Sequence, residues 1–384
     1  MARKARYLAL GAALLVVGCS LLNPLDGYTG GVVGPDGSTV GPVADVGTMD
    51  TSTASDAGDA GDAGCANARP PSRPQPSPST DGGSTTVVAA IASFDLADKN
   101  DAKRPSRVGY DLDQLCTCPG LRACVPKSGG GICDLPLGVD NAGGDWLLGL
   151  SNAVGNGGIG GGVLTGADGL LIRIRNYNDE LDDDLVEVAF FDTFGLEGLQ
   201  PDAGASAGAL KRDGTDRWTV DAKSLIGGTP YLPVAADNRA YVRGGVVVAE
   251  LRFPLRIGTF TFPIAAGYMT AKLVKKPVGY ALVDGMFSSR LNASDFLTSF
   301  ENVPSGLPGP GFVCGSDPYY ASLRDTLCRV LDLPTDPNTD GRETSCDAVS
   351  LILNFTADPA VLGDVISRPP RARPCGDTWV GKCL

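Results

Sequence analysis

Leu170-Leu-Ile-Arg-Ile-Arg-Asn-Tyr177 alternates in character, with Ile172 and Ile174 on one face and Arg173 and Arg175 on the other. A period of two marks a half-buried β-strand, because successive side chains leave opposite sides of the pleat. Outward from it, Leu185-Val-Glu-Val-Ala-Phe-Phe191 follows after an acidic turn. Further strands are expected over 87–96, 217–220, 240–251, 252–257, 259–264, 267–274, 278–284 and 348–355. Gly and Pro, 52 and 28 of 384 residues, separate these runs at short spacing. Such spacing suits antiparallel sheets stacked face to face. Three short helices are expected. Residues 145–154 place Leu147, Leu150 and Val154 on one face, 293–300 starts after the capping residue Asn292, and 318–331 turns Leu323, Leu327, Val330 and Leu331 inward. The expected fold is mainly β: an antiparallel two-sheet sandwich, jelly-roll or concanavalin-like, with a disulfide-rich loop and two or three short helices.

The N-terminus reads differently. Arg3, Lys4 and Arg6 precede Tyr7-Leu-Ala-Leu-Gly-Ala-Ala-Leu-Leu-Val-Val-Gly18, and Cys19 follows. A bilayer-spanning helix needs about 20 apolar residues, so this run fits an export signal instead. Val16-Val17-Gly18-Cys19 resembles the lipobox of bacterial lipoproteins. That resemblance implies cleavage after residue 18, acylation of Cys19, and an outer-membrane or cell-surface location held by lipid. Residues 19–85 then read as an acidic, Pro-rich tether. They contain the triplet repeat Asp56-Ala-Gly-Asp-Ala-Gly-Asp-Ala-Gly64, followed by Pro70, Pro71, Pro74, Pro76 and Pro78. A flexible chain of about 66 residues spans roughly 45 Å root-mean-square. Residues 86–384 are expected to form one disulfide-stabilised β domain.

Charge and composition exclude several functions. Loss of the three basic signal residues takes the formal charge from −12 to −15. Such a chain lacks the clustered Lys and Arg that nucleic acid requires. There is no histidine, which removes Ser-His-Asp triads, Cys-His pairs and His-ligated metals. Of the 11 cysteines, one is assigned to lipid. The other ten, Cys65, Cys116, Cys118, Cys124, Cys133, Cys314, Cys328, Cys346, Cys375 and Cys383, read as disulfides in an exported chain. Local bridging is expected within 116–133 and among the last five, with Cys65 taking the odd one of those five.

Two oxygen-rich stretches suggest calcium, the one cofactor the sequence raises. Asp336, Asn338, Asp340, Arg342 (through its carbonyl) and Asp347 match the spacing of a 12-residue calcium loop, with Gly341 at its sharp turn. Against that stand the short Asp at the last position, Cys346 beside it, and a strand where a helix belongs. The plainer reading is an Asx-rich turn. A second cluster, Asp111, Asp113, Asp134, Asp140 and Asn141, lies in or beside the cysteine-rich loop; its plainer reading is a solvated acidic loop. The acidic turn 178–184 starts like the catalytic strand of sandwich-fold glucanases but places Leu185 where the last acid belongs, so it reads as a charged hairpin. Gly204-Ala-Ser206-Ala-Gly208 lacks a base and a strand–helix setting. Gly155-Asn-Gly157-Gly-Ile-Gly160 lacks the strand and helix of a dinucleotide site.

Gly109-Tyr-Asp-Leu-Asp113, Cys133-Asp134, Gly138-Val-Asp-Asn141 and Cys346-Asp347-Ala348-Val349-Ser350 resemble a group of uncharacterised bacterial surface lipoproteins. These combine an acidic Ala/Gly/Asp tether with a Cys-containing β domain. The resemblance implies architecture and location, and no activity or catalytic residue. The leading functional reading is a lipid-anchored binding or adhesion module whose ligand is a glycan or an envelope protein. Tyr231, Tyr241, Tyr268, Tyr280 and Trp218 are the candidate stacking residues, and equally candidates for the core. The alternatives are a secreted carboxylate-dependent hydrolase and a structural envelope protein without a small ligand.

Overall fold

The computed structural model describes residues 67–76, 83–117, 122–127, 132–154, 166, 169–198, 210–229, 232–257, 260–303, 312–367 and 373–383. Along the chain come β1 (Thr85–Asp95), β2 (Ala97–Asp98), β3 (Asp101–Pro105), helix α1 (Gly144–Val154), β4 (Gly169–Tyr177), β5 (Asp183–Thr193) and β6 (Arg217–Asp221). Next are β7 (Ala235–Arg243), β8 (Val246–Leu251), β9 (Pro254–Ile257), β10 (Phe260–Lys275), β11 (Tyr280–Asn292) and α2 (Ala293–Ser299). The last elements are α3 (Pro318–Arg329), β12 (Ala348–Pro359) and β13 (Val361–Ile366).

Mainly β with three helices describes the fold, but the two-sheet sandwich does not. Strands β1, β4, β5, β7, β8, β10, β11 and β12 each pair antiparallel with the next in that order, and β12 returns to β1. They form one closed eight-stranded up-and-down barrel. Alternation and turn spacing are the same in a sandwich and a barrel. The difference lies in which strands pair, and the joins β10–β11 and β12–β1 close this sheet. β10 is 16 residues long and pairs with β8, β9 and β11 along different parts of its length. Register shifts at Ile264/Ala266, Thr270/Lys272 and Leu282/Gly285 bend these strands around the barrel. Closure leaves the barrel strands without an open edge.

Eight strands enclose an interior that side chains fill. Ala89, Ile91, Ile172, Ile174, Val188, Val247, Leu351 and Leu353 belong to one buried cluster. Ring contacts cross it, with Phe287 stacked on Phe355 and Phe190 tilted against Phe253, each pair 4.6 Å between centroids. Gly285 fits this packing because an added Cβ would come within 2.6 Å of the Phe355 ring. The outer face of β4 and β5 is also covered. Leu171, Ala189 and Phe191 pack on Trp218 and Val220 of β6, which pairs in parallel with β13. Arg173, expected on a wet face, is therefore buried; it pairs with Glu187 at 2.7 Å and lies over the Phe191 ring.

Helix α2 follows β11 directly, and the Asn292 side chain caps it by accepting from the Asp295 amide at 2.9 Å. Its Phe296 meets Phe262 at 5.6 Å and Trp146 of α1 at 5.7 Å. The C-terminal stretch 373–383 is tied down by Cys314–Cys375 and Cys328–Cys383, as expected for cysteines of the last five. The odd one, Cys346, pairs across 222 residues with Cys124. That corrects the expected local bridging of Cys124 and the pairing of Cys65 with this group. The bridge is natural where it stands, because 122–127 runs beside 344–346: the Val125 amide donates to Thr344 O and the Cys346 amide to Val125 O. Cys116 and Cys133 are also disulfide-bonded. Cys65 and Cys118 lie outside the described residues.

The compact unit runs from Asn67 to Leu384, and so takes in part of the Pro-rich stretch assigned to the tether. The Tyr241 hydroxyl donates to Pro71 O. The Arg73 guanidinium lies 4.7 Å over the Tyr241 ring and donates to the carbonyls of Asp184 and Arg239.

Candidate functional site

The segment 106–117 and the turn 134–143 lie over the outer face of β11 and β12. Val139 packs there with Met286 and Ile352. Local hydrogen bonds fix the turn. The Asn141 side chain donates to Ser106 O at 2.8 Å and accepts from the Ile352 amide at 3.0 Å. The Ala142 amide donates to Ser350 Oγ, which donates in turn to Asp332. Asn141 is thus a brace between strands and loop, with both ends of its amide engaged.

This scaffold brings Asp111, Asp113 and Asp140 together, with one carboxylate oxygen of each within 4.8 Å of the others. All three residues are buried. Asp113 Oδ1 accepts from the Leu115 amide at 2.8 Å, and Asp140 Oδ2 from the Leu112 amide at 2.6 Å. Four oxygens remain without a hydrogen-bond partner: Asp113 Oδ2, Asp140 Oδ1 and both of Asp111. Gly138, at φ +73°, makes room, since a Cβ there would stand 2.7 Å from Asp111 Oδ2. Asp134 lies alongside and accepts from the Thr117 amide at 2.6 Å.

Crowded, desolvated carboxylates resist ionisation. Burial, reinforced by the neighbouring Asp111 and Asp134, pushes Asp113 up to about 8. Burial, with Asp332 and Asp111 nearby, pushes Asp134 up to about 7. Asp140 is raised well above the usual carboxylate range by burial and then by Asp332, Asp113 and Asp134. Asp111 is raised by burial, with Asp113, Gln114, Arg69 and Leu115 pulling the other way. Asp332, which sequence reading missed, is held up to about 6 by burial, with Ser350 opposing. Its only signal was an acid between two leucines, Leu331-Asp332-Leu333.

The other acidic loop is built differently. Asp336 caps a short turn by accepting from the Asn338 amide. Asp340 is gripped at both oxygens by Arg290, at 2.7 Å each. Asp347 Oδ1 accepts from the Thr335 amide at 2.6 Å, and Arg342 is exposed. Among the described residues, Asp336, Asp340 and Asp347 do not form a group of mutually close carboxylates. Arg290, fully buried in β11, was missed as well: the expected strand stops at residue 284, and nothing local announces a partner 50 residues away.

In the acidic hairpin between β4 and β5, Asp182 pairs with Arg243 and Gly244, Asp179 with Tyr280, and Asp183 accepts from Asn178 and Leu185. Of the candidate stacking residues, Trp218 and Tyr280 are buried, Tyr268 meets Tyr110 edge-on, and Tyr241 lies under Arg73. Tyr231, Cys19, Ser206 and the glycine run 155–160 lie outside the described residues. No family model, curated protein or solved structure matches the chain.

Proposed function

We propose that this chain is a lipid-anchored cell-envelope protein that presents a disulfide-braced β-barrel head as a binding module on the outside of the cell. The observation that carries the reading is the set of bridges Cys124–Cys346, Cys314–Cys375 and Cys328–Cys383. Disulfides of this number persist where the surroundings oxidise thiols, which agrees with the export signal and the acceptor Cys19 at the other end of the chain. The tether then holds the head clear of the membrane.

Ligand contact belongs to the loops rather than the barrel interior, which apolar side chains fill. Burial of Trp218 and Tyr280 weakens the aromatic platform a glycan would use, and favours an envelope protein as the ligand. The test is mass measurement of the native protein with membrane fractionation of Cys19→Ala. Acyl groups on Cys19, and release of the variant from membranes, are expected. An unacylated chain, or a variant that stays with the membrane, overturns the anchoring. Crosslinking in intact envelopes, beside a polysaccharide screen, should return a protein partner; a saturable polysaccharide and no protein would reverse the choice of ligand.

A further inference from the structure

We propose that Asp111, Asp113 and Asp140 bind one calcium ion that locks the loop 106–117 to the turn 134–140. Acid clusters are common on protein surfaces, but this one is interior. Asp140 is 1% exposed and its Oδ1 has no hydrogen-bond donor; Asp111 is 4% exposed with both oxygens unpartnered. Buried carboxylate oxygens without donors are costly unless something positive meets them. Among the described residues no ion pair reaches these three side chains. Arg290, next to them in space through Leu112 O, is already held by Asp340.

The donor set decides the ion. Carboxylate oxygens alone, with no imidazole or thiolate, select hard cations over transition metals. Calcium takes oxygens at about 2.3–2.6 Å, so ligands on opposite sides of it stand roughly 4.6–5.2 Å apart. The three carboxylate oxygens all lie within 4.8 Å of one another, close enough to share one such ion. Magnesium demands a strict octahedron at about 2.0–2.1 Å and keeps most of its water, so a set of buried protein carboxylates suits it less well than calcium. The three acids come from two segments, so an ion joins loop to turn. It also stiffens the entry of the chain, because the Asp111 amide donates to Ala68 O and the Ala68 amide to Leu137 O. None of this depends on where the protein resides.

The test uses the full mature chain, dialysed against EGTA and titrated calorimetrically with CaCl2. One ion per chain is expected, with a dissociation constant of about 0.1–1 mM or tighter, as in extracellular modules. At 5 mM CaCl2 the melting temperature should rise by about 2–4 °C. Asp111→Asn distinguishes a cation from its rivals by a change of sign. In EGTA the variant should melt above wild type, since a buried charge is gone; in calcium it should melt below, with affinity reduced at least tenfold. A variant more stable in both conditions means carboxyls that share protons, and one less stable in both means simple acceptors. Either result overturns the proposal, as does an unshifted wild type or an equal response to 5 mM MgCl2. Should the variant fail to fold, wild type alone decides: calcium should slow trypsin cleavage after exposed Arg107 at least threefold, and an unchanged rate counts against the site.

Discussion

Replacing Arg290 with methionine tests how the long loops are fastened to the barrel. Arg290 is 1% exposed. Its two terminal nitrogens grip Asp340 at 2.7 Å each, and donate to Pro334 O at 3.0 Å and Leu112 O at 2.7 Å. One side chain of β11 therefore holds both the calcium-candidate loop and the segment 334–340. Methionine fills most of the volume but strands one carboxylate and two carbonyls. Breaking a buried pair from one side costs about 3–5 kcal/mol. The unfolding entropy of a unit of roughly 300 residues is about 0.6 kcal/mol per degree, so the melting temperature should fall by about 5–8 °C. Burial already raises the pKa of Asp340 against the pull of Arg290. Without Arg290 that carboxyl can take up a proton, which caps the loss. Arg290→Met with Asp340→Leu should recover most of it, since apolar replacement of both partners leaves no charge behind. Thermal unfolding by circular dichroism, with disulfides intact and calcium fixed, gives the answer. A single variant within about 1 °C of wild type, or a double variant no better than the single, would refute the assignment.

Removing Cys124–Cys346 by paired alanines releases a 222-residue loop and should cost about 5 kcal/mol in the chain-entropy limit. Removing Cys314–Cys375, which closes 61 residues, should cost about 4 kcal/mol, so chemical denaturation ranks the two. Burial pushes Asp192 up to about 6 despite Arg256 nearby. Its folded pKa lies above the unfolded one, so the native state binds more protons between pH 4 and 6, and stability falls as pH rises through that window. Asp192→Asn should flatten this slope and gain about 3 kcal/mol relative to wild type at pH 7; parallel slopes in urea titrations would count against it. Gly285→Ala should destabilise by about 1–3 kcal/mol, because its Cβ meets a Phe355 ring that is stacked on Phe287. Adding Phe355→Leu should relieve part of that loss.

Local signals carried much of the fold. The alternation at Leu170–Tyr177 marked β4, and Asn292 marked the start of α2. Residues 240–251 read as one strand because Val242 and Val246–Val248 are all β-branched, yet Gly244-Gly245 at positive φ folds them into the β7–β8 hairpin. Conversely, 259–264 and 267–274 read as two strands, but β10 runs unbroken from Phe260 to Lys275. Pro263 sits where β10 pairs with β9, and Gly267 lets β11 approach, since a Cβ there would stand 2.4 Å from Ser288 O. Barrel closure could not be read at all. It depends on the register of β12 against β1, residues more than 250 apart, and two-residue periodicity is blind to partner choice. At the acid cluster, Asp111, Asp113 and Asp140 were visible as letters, but their burial was not. Burial came from Val139 seating on Ile352, a contact no spacing rule encodes.

The position of the cluster gives it a mechanical meaning beyond ion binding. Under the proposed anchoring at Cys19, load would enter the head where its compact unit begins, at Asn67. There the Asn67 side chain donates to Gln114 O, Arg69 to the Gln114 side chain, and Ala68 bridges Leu137 and Asp111 through backbone bonds. All of these partners belong to the two segments that Asp111, Asp113 and Asp140 join. Exposed hydrogen bonds at a chain entry open readily unless the loop they rest on is rigid. The covalent braces lie nearby, since Cys116 and Cys133 are oxidised and Cys124 is tied to Cys346 beside the start of β12. A cation among three buried carboxylates would close the one part of this junction that apolar packing and disulfides leave electrostatically unbalanced.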